Sequence, residues 1–362
     1  MTTSPPGIHV RSAVELSGYT TLRLGGPATR FIEARTAREV IDAVRAADAA
    51  GEPLLVLGGG SNVLVADEGF DGTVVHIATK GVGMDSTSAG VVQLTAEAGE
   101  NWDDVVAKTV SAGLGGLECL SGIPGLVGAT PVQNVGAYGV EVSELLVSVD
   151  LLDRASGEVR TLTPDQLGLA YRTSVLKGTN RAVVLRVRFE LADTGMSAPI
   201  RYAELANTLG VAPGERAPVE RVRQSVLDLR RGKGMVLDED DHDTWSAGSF
   251  FTNPVLSHDE LDEALARIAA HVGTDVRIPQ YPADGGGKLS AAWLIERAGF
   301  AKGYPGPGNR VSLSHSHTLA LTNRGDGTTA DLVSLAREVR DGVHRVFGVL
   351  LEAEPVLVGV TL

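Results

Sequence analysis

Apolar positions fall into two patterns, helical spacings of three or four residues and continuous runs of four or five, and the two alternate through the first half of the chain. Val40, Ile41, Val44 and Ala47 share one face of a helix expected from about Thr36 to Ala50. The run Pro53-Leu54-Leu55-Val56-Leu57 reads as a buried strand that feeds directly into Gly58-Gly59-Gly60-Ser61-Asn62. A strand from Thr73 to Ile77 then completes a small βαβ-type unit. A second unit opens with a strand from Val91 to Ala98 and a helix around Trp102 to Ala112. It crosses a long glycine-rich segment and closes with strands near Leu145 to Asp153 and Ala182 to Leu191. Between those strands, Thr163-Pro164-Asp165-Gln166 has the form of a capping box with proline at the first helical position. It predicts a short helix that delivers Tyr171-Arg172-Thr173-Ser174 at its end.

The composition shifts around Ala192 to Pro199, which marks an expected boundary. Beyond it, Val219, Val222, Val226 and Leu229 define an amphipathic helix. Ser257-His258-Asp259-Glu260 is a second capping box, followed by the stripe Leu261, Leu265, Ile268 and Val272. A last helix, about Thr329 to Phe347, carries Leu332, Leu335, Val339, Val343 and Val346 and ends at Gly348. A strand from Val349 to Val360 is expected to follow, with Glu352 and Glu354 on one face.

Bulk properties narrow the function. The 362 residues suit about two domains. Their 43% hydrophobic and 21% charged content is that of an ordinary soluble globular chain. The single cysteine, Cys119, suits a reducing cytoplasm, and its flanks Leu117 and Leu120 favour a small core residue over a nucleophile. Met1-Thr2-Thr3-Ser4-Pro5-Pro6 lacks the basic and apolar regions of a signal peptide, and no apolar run approaches membrane-spanning length. A net charge of −13 argues against a nucleic-acid binder, so an anionic ligand must be met by locally arranged donors. His315 and His317 are the only close histidine pair and lack partners at zinc spacing, so no metal is expected.

Four stretches carry candidate chemistry. Gly58, Gly59, Gly60, Ser61 and Asn62 could form a backbone nest for a pyrophosphate. No Gly-Lys-Ser/Thr follows and Val63 breaks the dinucleotide fingerprint, so a tight structural turn is an equal reading. Ser121-Gly122-Ile123-Pro124-Gly125-Leu126-Val127-Gly128-Ala129, followed by Gln133-Asn134-Val135-Gly136-Ala137-Tyr138-Gly139, is too apolar for a flexible linker. Two such segments can clasp one long ligand, and a flavin dinucleotide is the natural candidate. Arg172 is either a carboxylate grip or a surface ion pair. Glu220 to Lys233 holds Arg221, Arg223, Arg230, Arg231 and Lys233 against Glu220 and Asp228, a solvated face or a diphosphate site. Ala247-Gly248-Ser249-Phe250-Phe251-Thr252-Asn253-Pro254 places a hydroxyl beside two of only seven phenylalanines. It is a reactive group or a strand end whose serine satisfies a backbone atom. Glu354 could handle a proton if partly buried.

Taken in order, these segments resemble the UDP-N-acetylenolpyruvoylglucosamine reductases of peptidoglycan synthesis. The resemblance also rests on Thr21-Leu22-Arg23-Leu24-Gly25-Gly26-Pro27-Ala28, Ala292-Trp293-Leu294-Ile295-Glu296 and Leu351-Glu352-Ala353-Glu354, and so runs nearly end to end. The glycine motifs are shared with a wider FAD superfamily; the Gly-Ser-Phe-Phe element and the terminal glutamate are specific. The resemblance implies an α+β flavoenzyme with an FAD-binding two-subdomain fold of the PCMH/vanillyl-alcohol-oxidase type and a C-terminal α+β substrate domain. The expected domains are 1–199 for FAD (subdomains about 1–80 and 85–199), 200–348 for substrate, and a strand at 349–362 returning to the flavin. FAD would be held by Gly58, Gly59, Gly60, Ser61, Asn62, Ser121, Gly122, Ile123, Gly125, Gly128, Asn134, Gly136, Ala137, Tyr138 and Gly139.

By the same resemblance NADPH reduces FAD, and the enolpyruvyl ether of a UDP-sugar then takes hydride from flavin N5 at C3. Ser249 donates the proton to C2, while Arg172 and Glu354 stabilise the enol-like intermediate. Tyr202 resembles the tyrosine of a substrate-covering loop, Lys233 the lysine that meets the diphosphate, and Asn253 a substrate-contacting amide. Arg297 stands where the family commonly has glutamine, and Pro355-Val356 where it has Val-Arg. A cytoplasmic monomer is expected. The rival readings are an FAD-dependent alcohol oxidase or dehydrogenase, which often tethers flavin through His or Cys, and a non-catalytic nucleotide-binding protein.

Overall fold

The computed structural model describes residues 9–283 and 285–362, so the N-terminal reading of Met1–Pro6 lies outside the described residues. The chain divides into two compact units. One holds the described part of Met1–Val14, with Ala28–Gly59 and Phe70–Val236; the other holds Glu15–Pro27, Gly60–Gly69 and Leu237–Leu362.

Among the described residues, the first unit contains two larger sheets besides a two-stranded hairpin. In one, Val10–Glu15, Pro27–Ala34, Phe70–Ile77 and Leu54–Leu57 lie in that order, with Phe70–Ile77 parallel to both Pro27–Ala34 and Leu54–Leu57. The expected crossover helix spans Ala37–Ala50. The Thr36 side chain accepts from the Glu39 N–H at its start, left-handed Gly51 ends it, and Val40, Ala43, Val44 and Ala47 are buried. The other sheet orders Val159–Leu162, Leu146–Asp153, Ala182–Asp193, Val91–Glu97 and Val82–Ser88, all antiparallel. The helix Trp102–Ser111 packs on this core through Trp102, which is fully buried, donates its indole N–H to the Leu120 carbonyl and meets Phe189 edge-on. The capping box at Thr163 forms, with Pro164–Leu167 as its single turn.

The helices Ala203–Leu209 and Val219–Arg231 also group with this unit, whereas the sequence sets its boundary near residue 199. Leu205, Leu209, Val219, Val222 and Val226 extend the same apolar core, and that burial draws the segment in.

The second unit has its own core, in which Phe250, Phe251, Ile295, Leu332, Val339 and Phe347 are all 1% exposed or less. The strand Ser246–Ser249 pairs with Ala320–Asn323, which pairs in turn with Val311–Leu313. Ser257 and Glu260 form the predicted capping box on His258–Val272, and Gly348 ends Thr329–Phe347 in the left-handed conformation. The C-terminal strand is shorter than expected. Only Val356–Val358 is regular, parallel to Val63–Val65. Pro355 has no N–H to give a ladder, and Ala353 makes an isolated bridge to Phe251. Glu352 and Glu354 therefore do not share the face of one strand; Glu352 is exposed and Glu354 half-buried.

Candidate functional site

The strand Leu54–Leu57 runs straight into Gly58, and the second glycine segment follows the helix Trp102–Ser111. Their tips touch: a Cβ on Gly59 would lie 2.9 Å from the Gly125 Cα. A side chain at position 59 would not fit that approach, which brings the backbones of both segments together. The second loop is pinned at two points. Trp102 N–H donates to the Gly125 carbonyl at 3.0 Å, and Gly122 N–H donates to the Asp103 carboxylate at 2.6 Å. Ser121 donates its hydroxyl to the Glu118 carbonyl, and Gly128 backs onto Ala98, so both are occupied inside the loop.

Gly136–Ala137 and Val140–Glu141 form a hairpin whose two central residues, Tyr138 and Gly139, have φ of 51° and 84°. That is the positive-φ pair a two-residue turn needs, and it projects Tyr138. Asn134 is buried beneath. Its amide donates to Glu141 and to the Ala170 carbonyl and accepts from the Ser143 N–H.

Arg172 does not sit at a helix end as the sequence suggested. Gly168 terminates the short helix, and Arg172 follows in a tight turn closed by Ala170 and Thr173, at φ 52°. A left-handed arginine is uncommon and costs on the order of 1 kcal/mol. Here the turn swings the guanidinium under the hairpin. Its Nη2 donates to the Gly136 carbonyl at 2.6 Å, its Nη1 lies 3.6 Å from Glu141, and its charge sits over Tyr171.

The basic run at 220–233 resolves into distinct assignments. Arg221 donates to the Leu209 carbonyl, Arg223 grips Asp103 through two hydrogen bonds, and Arg231 pairs with Asp228. Burial raises the cost of charging Asp103, but Arg223 and the Gly122 N–H outweigh it and hold the carboxyl below its usual range. Arg230 is enclosed, which lowers its pKa. Its Nη2 donates to the Met235 carbonyl, while its Nε has no hydrogen-bond partner among the described residues and lies 3.4 Å from where a Cβ on Gly122 would sit. Lys233 meets Glu204 at 2.6 Å and lies 5.7 Å from the Tyr138 ring centre. Tyr202, at the start of the helix Ala203–Leu209, is 42% exposed and packs edge-on against Tyr138. Residues from the 136–141 hairpin, the tyrosine segment and the basic run are thus brought together.

In the second unit, Gly60 passes against Tyr19 and Thr20 and accepts from the Thr21 N–H, with Ser61 and Asn62 beyond it. Ser249 ends its strand, paired with Ala320, and is half-buried. No hydrogen-bond partner meets its hydroxyl among the described residues, so it is not a serine occupied by the backbone. Phe250 and Phe251 beside it are fully buried and packed edge-on. Glu354 is tied to the same element: its N–H donates to the Phe250 carbonyl at 2.9 Å, and its own carbonyl accepts from the Asn62 amide. Asn253 spends its side-chain oxygen on the Ala291 N–H at the start of the helix Ala291–Arg297. Arg297, at that helix's end, stacks on Trp293.

Sequence reasoning passed over Asp103 and Glu204, because no spacing links them to Arg223 or Lys233, about 120 and 29 positions away. Arg230 was visible only as one charge of a run. Cys119 is 1% exposed and burial raises its thiol pKa, so it offers no attachment point for a cofactor. The described residues contain no cluster of three or more potential metal ligands and no helix long and apolar enough to cross a membrane.

The abutting glycine loops, and the orphaned Arg230 nitrogen aimed at one of them, fit a long anionic cofactor such as FAD. Comparison with known proteins points the same way. Residues 28–163 match an FAD-binding domain and residues 240–358 the C-terminal domain of UDP-N-acetylenolpyruvoylglucosamine reductase. A Saccharopolyspora erythraea protein with that reductase name is 70% identical over 96% of this chain and 95% of its own. One from Nocardia farcinica is 60% identical over 99% and 92%. The crystal structure of the Thermus caldophilus reductase superposes with a TM-score of 0.64 at 26% identity, over 97% of this chain and 99% of that one. The fold is therefore the expected α+β FAD-binding type with a C-terminal substrate-type domain, and the chain belongs to the UDP-N-acetylenolpyruvoylglucosamine reductase family of FAD-dependent oxidoreductases.

Proposed function

We propose that the protein reduces the enolpyruvyl ether of UDP-N-acetylglucosamine to UDP-N-acetylmuramate, with NADPH as the reductant, in two successive half-reactions. FAD, held by the glycine loops, would supply hydride chemistry to C3 of the enolpyruvyl group. Ser249 gives its proton to C2, and Arg172 and Glu354 stabilise the enolate-like charge on the substrate carboxylate between the two events. The observation that carries this reading is the Ser249 hydroxyl, half-buried and without a hydrogen-bond partner among the described residues, beside two buried phenylalanines. A serine is a feeble acid in water; it can protonate a carbanionic carbon only from a shielded, fixed position. The Glu354 N–H donates to the carbonyl of Phe250, which holds this glutamate's backbone beside the residue that follows Ser249.

The glycine loops with Asn134, Tyr138 and their neighbours are assigned to FAD, and Tyr202, Lys233, Asn253 and Arg297 to the substrate. For Asn134 and Ser121 the contribution is to the shape of the loop, since their side chains are already bonded within it. The FAD-binding and substrate roles of 1–199, 200–348 and 349–362 belong to the same proposal, as does action as a cytoplasmic monomer.

Ser249→Ala separates the steps. NADPH should still bleach the flavin at a near-normal rate, while turnover of the enolpyruvyl substrate falls by about 10²–10⁴-fold in stopped-flow and steady-state assays. Near-normal overall turnover would remove Ser249 from the reaction.

A further inference from the structure

We propose that Glu204 is a specificity-setting residue that occupies the diphosphate position on Lys233 when no nucleotide is bound, so that a UDP ligand binds by exchanging its phosphates for this carboxylate. The inference rests on the reading above in which Lys233 meets the diphosphate.

Three features of the first unit support it. The Glu204 carboxylate lies 2.6 Å from the Lys233 ammonium, a charge-assisted distance of the kind a phosphate oxygen would take. The pair is accessible, with the two side chains 42% and 33% exposed, so a ligand can reach it without unfolding anything. Around Lys233 the other groups are phenols: Tyr138 faces the ammonium and Tyr202 packs on Tyr138. Arg230 and Arg223 are directed at the glycine loop and Asp103, which leaves Glu204 as the carboxylate that satisfies Lys233. Burial alone would weaken the lysine's charge; the Glu204 hydrogen bond and charge, together with the two tyrosines, more than restore it.

Glu204 stands two residues after Tyr202, in the first turn of the same short helix. The carboxylate that must release Lys233 and the tyrosine assigned to the substrate therefore travel on one element. A ligand with a single weak negative charge gains little by displacing Glu204, whereas a diphosphate brings more negative charge to the Lys233 ammonium than the carboxylate it replaces. The residue thus tunes the site toward diphosphates.

The test is calorimetric titration of UDP into the FAD-loaded protein. Glu204→Gln should tighten UDP binding about three- to fivefold, the worth of a half-exposed ion pair. Glu220→Gln, an equal charge change in the first turn of Val219–Arg231, should leave it unchanged. In a Lys233→Ala background the Glu204→Gln gain should vanish. Unchanged or weaker UDP binding in Glu204→Gln, or a gain that survives in Lys233→Ala, overturns the proposal. If Lys233→Ala alone leaves UDP affinity untouched, the assignment of Lys233 to the diphosphate fails instead, and the exchange fails with it.

Discussion

A methyl group on Gly59 would be 2.9 Å from the Gly125 Cα, a contact that only backbone movement can relieve. Gly59→Ala should therefore part the two loops while leaving the cores of both units intact. We expect FAD affinity to fall at least tenfold, read from flavin fluorescence on titration, with far-ultraviolet circular dichroism unchanged; retention of normal FAD affinity would show that the loops need not abut. Around the 136–141 hairpin, Asn134, Tyr138 and Arg172 all have positive φ without being glycine. At this scale the sequence was informative where residue types are rare. Adjacent phenylalanines singled out Ser249, and repeated glycines singled out the loops. It was silent where meaning lies in a partner: nothing local in Glu204 or Asp103 announces Lys233 or Arg223.

Asp103 joins three elements. It lies in the first turn of Trp102–Ser111, receives the Gly122 N–H of the loop, and grips Arg223 of Val219–Arg231. Replacing it with asparagine should cost about 1–2 kcal/mol in urea unfolding at neutral pH, because one charged partner is lost at a half-exposed site. Since the carboxyl is held below its usual range, its stabilisation is full above the unfolded value near 3.9 and is lost as pH falls through the lowered folded value. The difference between the native protein and Asp103→Asn should thus be constant from pH 7 down to about 4 and shrink below that. A difference that grows on acidification would assign the effect to another group.

Elements with local signals were legible: the caps at Thr163, Ser257 and Gly348, and the buried faces of the long helices. The strands Val10–Glu15 and Val82–Ser88 were not, because both are edge strands with almost no buried side chain to set a period. The C-terminal stretch misled in the opposite way. Its apolar residues alternate like a strand, but Pro355 interrupts the ladder there.

Across the whole molecule the charge is −13, yet the cations of 220–233 are each placed against a specific acceptor or loop. Positive charge is thus a local construction within an acidic protein. The lone cysteine gives this scale an unplanned instrument. Cys119 is sealed in the first unit's core, within the stretch that matches the FAD-binding domain, and burial keeps its thiol protonated. A thiol-trapping reagent can therefore react only with chains whose first unit has opened. When reclosing outpaces capture, the trapping rate counts the open population, and FAD at a hundred times its dissociation constant should slow it about 100-fold. An equal trapping rate with and without FAD would mean that opening at Cys119 is independent of the cofactor. The protein would then report its own breathing through a single sulfur atom, with no label built into it.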